Sequence, residues 1–177
     1  MNKIPVSNLI MGALFACLSG ILAGPLGIPV PFFGAYSLNL SFGMLPVMLS
    51  GILFGPMMGA LTGAVADILK VLISSGGAFM PLFTLSYALI GVIPALLLRK
   101  TRTRPVFKQL IGITAITQII CSIGLNSLWL VAVMGLSPAI LPMRIIAQII
   151  MIPLNAILIE LVLYALRNER IVFTRFS

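Results

Sequence analysis

The chain has 177 residues, of which 60% are hydrophobic and 8% charged, with a formal net charge of +8. A soluble domain carries about 25% charged residues, so this composition, with a mean hydropathy of +1.21, excludes a water-soluble fold. Two Cys, no Gly repeat and a high apolar content also exclude disulfide scaffolds, collagen and disorder. What remains is an all-α integral membrane protein. At about 20 residues per span, the length allows roughly five to seven spans. They form a single domain, 1–177, with no room for a soluble catalytic domain.

Residues 7–23 read as the first helix. Gly12, Ala16, Gly20 and Gly24 recur at spacing four, with Ala13 and Cys17 beside them. Such a stripe lets another helix approach closely, either within the chain or on a partner. Residues 24–40 hold Pro25, Pro29 and Pro31 with Gly24, Gly27 and Gly34, which no helix tolerates. Phe32, Phe33 and Tyr36 make this an apolar loop packed on the protein. A second helix spans 41–54, with a kink expected at Pro46, and Gly55-Pro56 is a tight turn. Helix three covers 56–74 and helix four 80–98, separated by Ser75-Gly76-Gly77. Helix five covers 109–134 and helix six 139–166, with a turn between them.

Six helices put both termini on one side. Lys3, the loop 99–108 with its five Lys and Arg, and the tail with Arg167, Arg170 and Arg175 then share that side. Positive charge marks cytoplasmic loops, so the termini and the basic loop are expected in the cytoplasm and the Pro-rich loop outside. The same rule explains the basic patches without nucleic acid. Beyond contact with the lipid bilayer the patches imply no partner.

Several chemistries are excluded by what is missing. There is no His, so histidine metal sites and histidine general bases are out. No Gly-rich loop ending in Gly-Lys-Ser/Thr occurs, so the chain does not bind ATP by that device. Leu14-Phe15-Ala16-Cys17 is a poor lipoprotein box, because Phe15 is out of place and the apolar run continues past it. Asn39-Leu40-Ser41 matches a glycosylation pattern that is frequent by chance. No metal and no cofactor are expected.

Polar groups inside a bilayer are costly and mark function or a buried pair. Asp67 and Lys70 lie three apart, on one face of helix three. They form either a mutual ion pair or, with Lys70 on an anionic ligand, part of a site. Arg144 has no acidic neighbour at its depth, which points to a ligand carboxylate or to snorkelling. Gln148 shares its face. Asn126 and Trp129 on helix five, with Thr84, Ser86 and Tyr87 on helix four, complete an outward pocket of aromatic walls and few polar groups. Glu160, near the inner end of helix six, is structural.

Taken together, these stretches resemble the substrate-binding S components of energy-coupling factor (ECF) vitamin transporters, the folate type above all. The similarity is carried by Phe42-Gly43-Met44-Leu45-Pro46, Gly51-Ile52-Leu53-Phe54-Gly55-Pro56 and Gly63-Ala64-Val65-Ala66-Asp67. It continues through Gly76-Gly77-Ala78-Phe79-Met80-Pro81, Phe83-Thr84-Leu85-Ser86, Leu125-Asn126-Ser127-Leu128-Trp129-Leu130 and Leu141-Pro142-Met143-Arg144. Order and spacing, over about residues 9 to 165, matter more than any one motif.

The resemblance implies a subunit that captures a vitamin, with folate favoured, in a bacterial cell membrane. It implies docking on a T component that carries two ATPase subunits, which hydrolyse the ATP, and release of the vitamin inward. Gly12, Ala13, Ala16 and Gly20 match the first-helix positions that meet the T component. Substrate contacts carry over to Phe32, Tyr36, Asn39, Phe79, Thr84, Asn126, Trp129 and Arg144, to which Lys70 and Gln148 add themselves. One departure stands out. Folate-type members often have a Lys four residues after the helix-six Arg, where this chain has Gln148, and Lys70 is an extra cation. An S component for another small vitamin or precursor is therefore an alternative. So is a self-sufficient small transporter, although the inner helix halves offer it almost no polar lining. A membrane enzyme is disfavoured, because Asp67 and Glu160 lie on different helices at different depths.

Overall fold

The computed structural model describes residues 5–32, 36–74, 79–99, 106–133, 135 and 141–166; the side chains of 28–32, 36–40, 99 and 143 are outside this set. Most of the basic loop, the turn at 75–77 and the tail beyond 166 also fall outside the described residues.

The helices are α1 (Val6–Ala23), α2 (Met44–Phe54), α3 (Pro56–Ile73), α4 (Pro81–Arg99), α5 (Phe107–Ala132) and α6 (Leu141–Ala165). Five of them are long and apolar enough to cross a membrane. The sixth, α2, has 11 residues. At about 16 Å it is short of the ~30 Å hydrocarbon core. Every residue from Pro46 to Leu53 is buried, as expected for a helix that is apolar all round. Thus α2 is the centre of the fold rather than a sixth lipid-facing span. Its first residue is Met44, three later than the sequence suggested. Pro46 therefore sits in the first turn, where a backbone N–H has no helical partner anyway, and the expected kink is not needed.

The stretch 24–40 is not an irregular loop. It contains an antiparallel hairpin, β1 (Ile28–Phe32) paired with β2 (Tyr36–Leu40), in the register Ile28↔Leu40 to Phe32↔Tyr36. Pro29 and Pro31 have the same parity, so both missing donors fall on one edge of the ribbon, where a ladder does not need them. Proline thus forbids helix here without forbidding strand. The β2 strand packs against α6.

Packing centres on α2. The helices α1, α3 and α4 surround it, and α4 carries the contact to α5, which pairs with α6. Glycines set the closest approach. A Cβ on Gly51 or Gly59 would run into the carbonyl of Gly91, and a Cβ on Gly91 into the backbone of Gly59. Three backbones therefore meet at one point. Val47, Met48, Leu49, Ile52, Tyr87 and Ile90 form the apolar core around it. Gly55, at φ 103°, joins α2 to α3 in a conformation that L side chains avoid, and Pro56 starts the next helix. Ser50 hydrogen bonds Thr62 at 2.8 Å, and Ser19 donates to the Gly43 carbonyl at 2.5 Å. These bonds tie α1 and α3 to α2.

The outward faces are hydrocarbon. Leu9, Leu14, Leu61, Val65, Ile149 and Leu161 are all more than two-fifths exposed. In water this would be an aggregating surface, whereas in a bilayer it is the lipid contact.

The fifth helix departs from expectation in its middle. Residues Ile119–Leu125 form a π-helix inside it, and the Asn126 N–H bonds the Cys121 carbonyl. The Ser127 hydroxyl donates to the Ser122 carbonyl at 3.3 Å. In an α-helix, polar residues four apart drift by about 40° per step. The wider π turn opposes that drift, so Gln118, Ser122 and Asn126 stay on one side.

Gly91→Ala is expected to cost the ~1–3 kcal/mol of overpacking or more and so to lower the thermal midpoint. Gly112→Ala, whose Cβ would meet nothing within 4 Å, should leave it unchanged or slightly raised. Melting followed by Trp129 fluorescence compares them, and equal midpoints would refute the three-backbone contact.

Candidate functional site

The α1–α2 connection carries the hairpin, so the hairpin marks the end of the bundle where α1, α3 and α5 finish and α4 and α6 begin. The polar residues singled out from the sequence gather there. Lys70, Thr84, Trp129 and Arg144 each lie about one helical turn from that end, and Asp67, Asn126 and Gln148 about two turns.

One group spans α3 and α4. Asp67 is 2% exposed and accepts a hydrogen bond from the Thr84 hydroxyl at 2.8 Å, on Oδ2. Lys70 is half-buried, its Nζ 5.3 Å from the centre of the Tyr87 ring. Among the described residues Asp67 and Lys70 make no ion pair with each other, although they share a face. Each has turned to α4, the acid to a hydroxyl and the cation to a π-face. That arrangement leaves the ammonium available to an anion.

A second group spans α5 and α6. Gln148 donates through Nε2 to the Ser122 hydroxyl at 2.6 Å. Its Oε1, the Asn126 Oδ1 and the Trp129 indole Nε1 are all buried without a hydrogen-bond partner among the described residues. One donor and two acceptors are thus desolvated side by side, each at a cost of about 1–3 kcal/mol if left unmatched. Arg144 is half-buried at the same level and pairs with no carboxylate among the described residues. The helix α4 also packs against residues 126–132, so one helix borders both groups.

The remaining expected contacts lie around this end. Phe79 is 52% exposed, just ahead of α4. Phe32, Tyr36 and Asn39 are on the hairpin, Phe32 opposite Tyr36 and Asn39 opposite Pro29; their side chains lie outside the described residues. Ser86 bonds back to the Leu82 carbonyl at 3.2 Å and takes no part. Sequence reasoning overlooked Ser122, which holds Gln148. It also overlooked Thr114, Gln118 and Asn155, all buried. The signal was present: Thr114, Gln118, Ser122 and Asn126 recur every fourth residue.

The stripe on α1 divides. Gly12, Ala16 and Gly20 are buried. Gly12 lies against Met58 and Thr62, and Gly20 against Ala66 and Leu69. Gly12 and Gly20 thus meet α3 of the same chain, and Ala16 belongs to the apolar core. Ala13 is exposed, with Leu9, Leu14 and Leu18 around it.

Three comparisons place these features. A family model described as ECF transporter, substrate-specific component, matches residues 7–163. The Folate transporter FolT of Clostridium novyi (strain NT) is 30% identical over 123 residues, 69% of this chain and 70% of that one. A solved structure described as the crystal structure of FolT bound with folic acid is 25% identical. It superposes with a TM-score of 0.70, covering 84% of this chain and 87% of that one.

Thr84→Val is expected to cost about 1–3 kcal/mol, because it strips a donor from a buried carboxylate. Thr84→Ser should retain most of the stability. A Val variant that melts with the parent would show that the bond contributes nothing.

Proposed function

The chain belongs to the substrate-specific components of ECF transporters, and from that premise we propose that it captures folate at the hairpin end of the bundle. The observation that carries this reading is the set of unmatched buried atoms on Asn126, Trp129 and Gln148 beside Arg144. A pterin ring presents an edge of alternating donors and acceptors, and a glutamate tail presents two carboxylates. The neutral trio suits the edge. Arg144 suits a carboxylate, which a guanidinium binds with two parallel bonds. Lys70 supplies a second cation from α3, compensating for the neutral Gln148. Phe79, Thr84 and the hairpin residues Phe32, Tyr36 and Asn39 close the site. The likeness to a folic-acid-bound FolT supports folate in particular.

In this reading the hairpin end faces outward, and the termini and the basic loop face the cytoplasm, as the Lys and Arg distribution favours. The chain docks on a T component with two ATPase subunits, which hydrolyse ATP while the vitamin leaves inward. Ala13 and the exposed apolar face around it are the part of α1 free to meet that partner. Gly12, Ala16 and Gly20 support the same face from behind by holding α1 on α3.

A specific feature favours a second substrate class. Gln148 is neutral and already commits Nε2 to Ser122, which suits a vitamin or precursor with one carboxylate.

Trp129 is the only tryptophan, so its fluorescence should change on titration with folate, with one-to-one stoichiometry by calorimetry. Arg144→Ala should weaken binding by an order of magnitude or more with the fold intact, and Lys70→Ala by less. Competition by pteroate, which carries a single carboxylate, as strong as competition by folate would assign the site to the single-carboxylate class. No response from a monodisperse protein would reject folate.

A further inference from the structure

We infer that a second polar binding site lies between α5 and α6, deeper than the folate site, and that it takes small neutral groups offering both hydrogen-bond donors and acceptors. Gln118 is 1% exposed, and neither Oε1 nor Nε2 has a partner among the described residues. Asn155 is 1% exposed with Oδ1 unmatched, and the Thr114 hydroxyl is unmatched at 1% exposure. The Gln148–Ser122 bond fixes the antiparallel register of the two helices. Counting away from it in both directions brings Asn155 level with residue 115, between Thr114 and Gln118. The site is about 21 Å along α6 from Leu141, whereas Gln148 is about 10 Å along it.

The chemistry of this group decides its ligand. Its acceptors would suit a cation, but the Gln118 amide donor stands among them and no carboxylate among the described residues lines them. Among the described residues it has no Lys or Arg for an anion. Amide and hydroxyl groups together suit water, which bridges such buried atoms with two to four bonds. They equally suit the edge of a neutral heteroaromatic ring. The Gln118–Ser122–Asn126 line on α5 runs from this group to the one at the hairpin end. The ring-edge version of this proposal rests on the folate reading; the water version does not.

Sulfur atoms beside the site provide the test. Cys121 is 0% exposed and three residues past Gln118; Met151 is 7% exposed and four before Asn155; Met48, in the apolar core, is 0% exposed. Hydroxyl radicals made from bound water by a short X-ray pulse oxidise nearby sulfur, and mass spectrometry of the full chain in nanodiscs reads each rate. Cys121 and Met151 should be oxidised several-fold faster than Met48, and Q118L/N155L should slow them to its rate. Cys121 and Met151 as slow as Met48 in the unmutated chain would overturn the site, whether or not the double variant folds. Saturating folate then separates the sources. A drop in the two rates assigns the site to the ring edge, and unchanged rates assign it to water. Because the first comparison uses no folate, it stands or fails independently of the folate reading.

Discussion

Everything in this bundle depends on three backbones meeting where Gly51, Gly59 and Gly91 coincide. In a bilayer, lipid is as apolar as leucine, so helices gain little by hiding side chains from it. Association comes from close packing and hydrogen bonds. Removing three side chains at one crossing brings α2, α3 and α4 to backbone contact, and the short α2 is enclosed as a result. Gly55, Ser50 and Ser19 only refine a geometry that this crossing has set.

The other half of the molecule is held differently. The helices α5 and α6 share a line of amides and hydroxyls, from Thr114 and Asn155 through Gln148 and Ser122 to Asn126. Some of these groups satisfy each other; others have no partner among the described residues. The π segment belongs to this half because it keeps the line straight. A dry junction on one side and a polar one on the other are joined by α4, which takes part in both. The acid and cation of α3 are held on α4 for the same reason: Thr84 and Tyr87 are the polar and π surfaces nearest to them.

Much of this was legible in the amino-acid order. Composition alone established a membrane bundle, and apolar runs broken by Gly and Pro gave the six helices to within a few residues. The polar residues expected at one end do gather there. What escaped has physical causes. Proline rules out helix but not an edge strand, so the hairpin of Ile28–Phe32 and Tyr36–Leu40 was not foreseen. A π turn has no residue signature comparable to proline's. Residues three apart on one face look like an ion pair, yet Asp67 and Lys70 were each claimed by a neighbour from another helix, and local spacing does not show that. Small residues reveal that a close contact exists but not with what; for Gly12 and Gly20 the contact is α3 of the same chain.

The separation of the glycine junction from the polar seam has an evolutionary consequence. In the proposed reading, alterations to Asn126, Gln148 or Arg144 change which groups a ligand must offer, and none of them touches the crossing that defines the fold. Alterations at Gly51, Gly59 or Gly91 do the opposite. A scaffold divided in this way can be re-specified for a new solute by small steps on two helices. Its lipid-facing surface, and whatever recognises that surface, stays the same throughout.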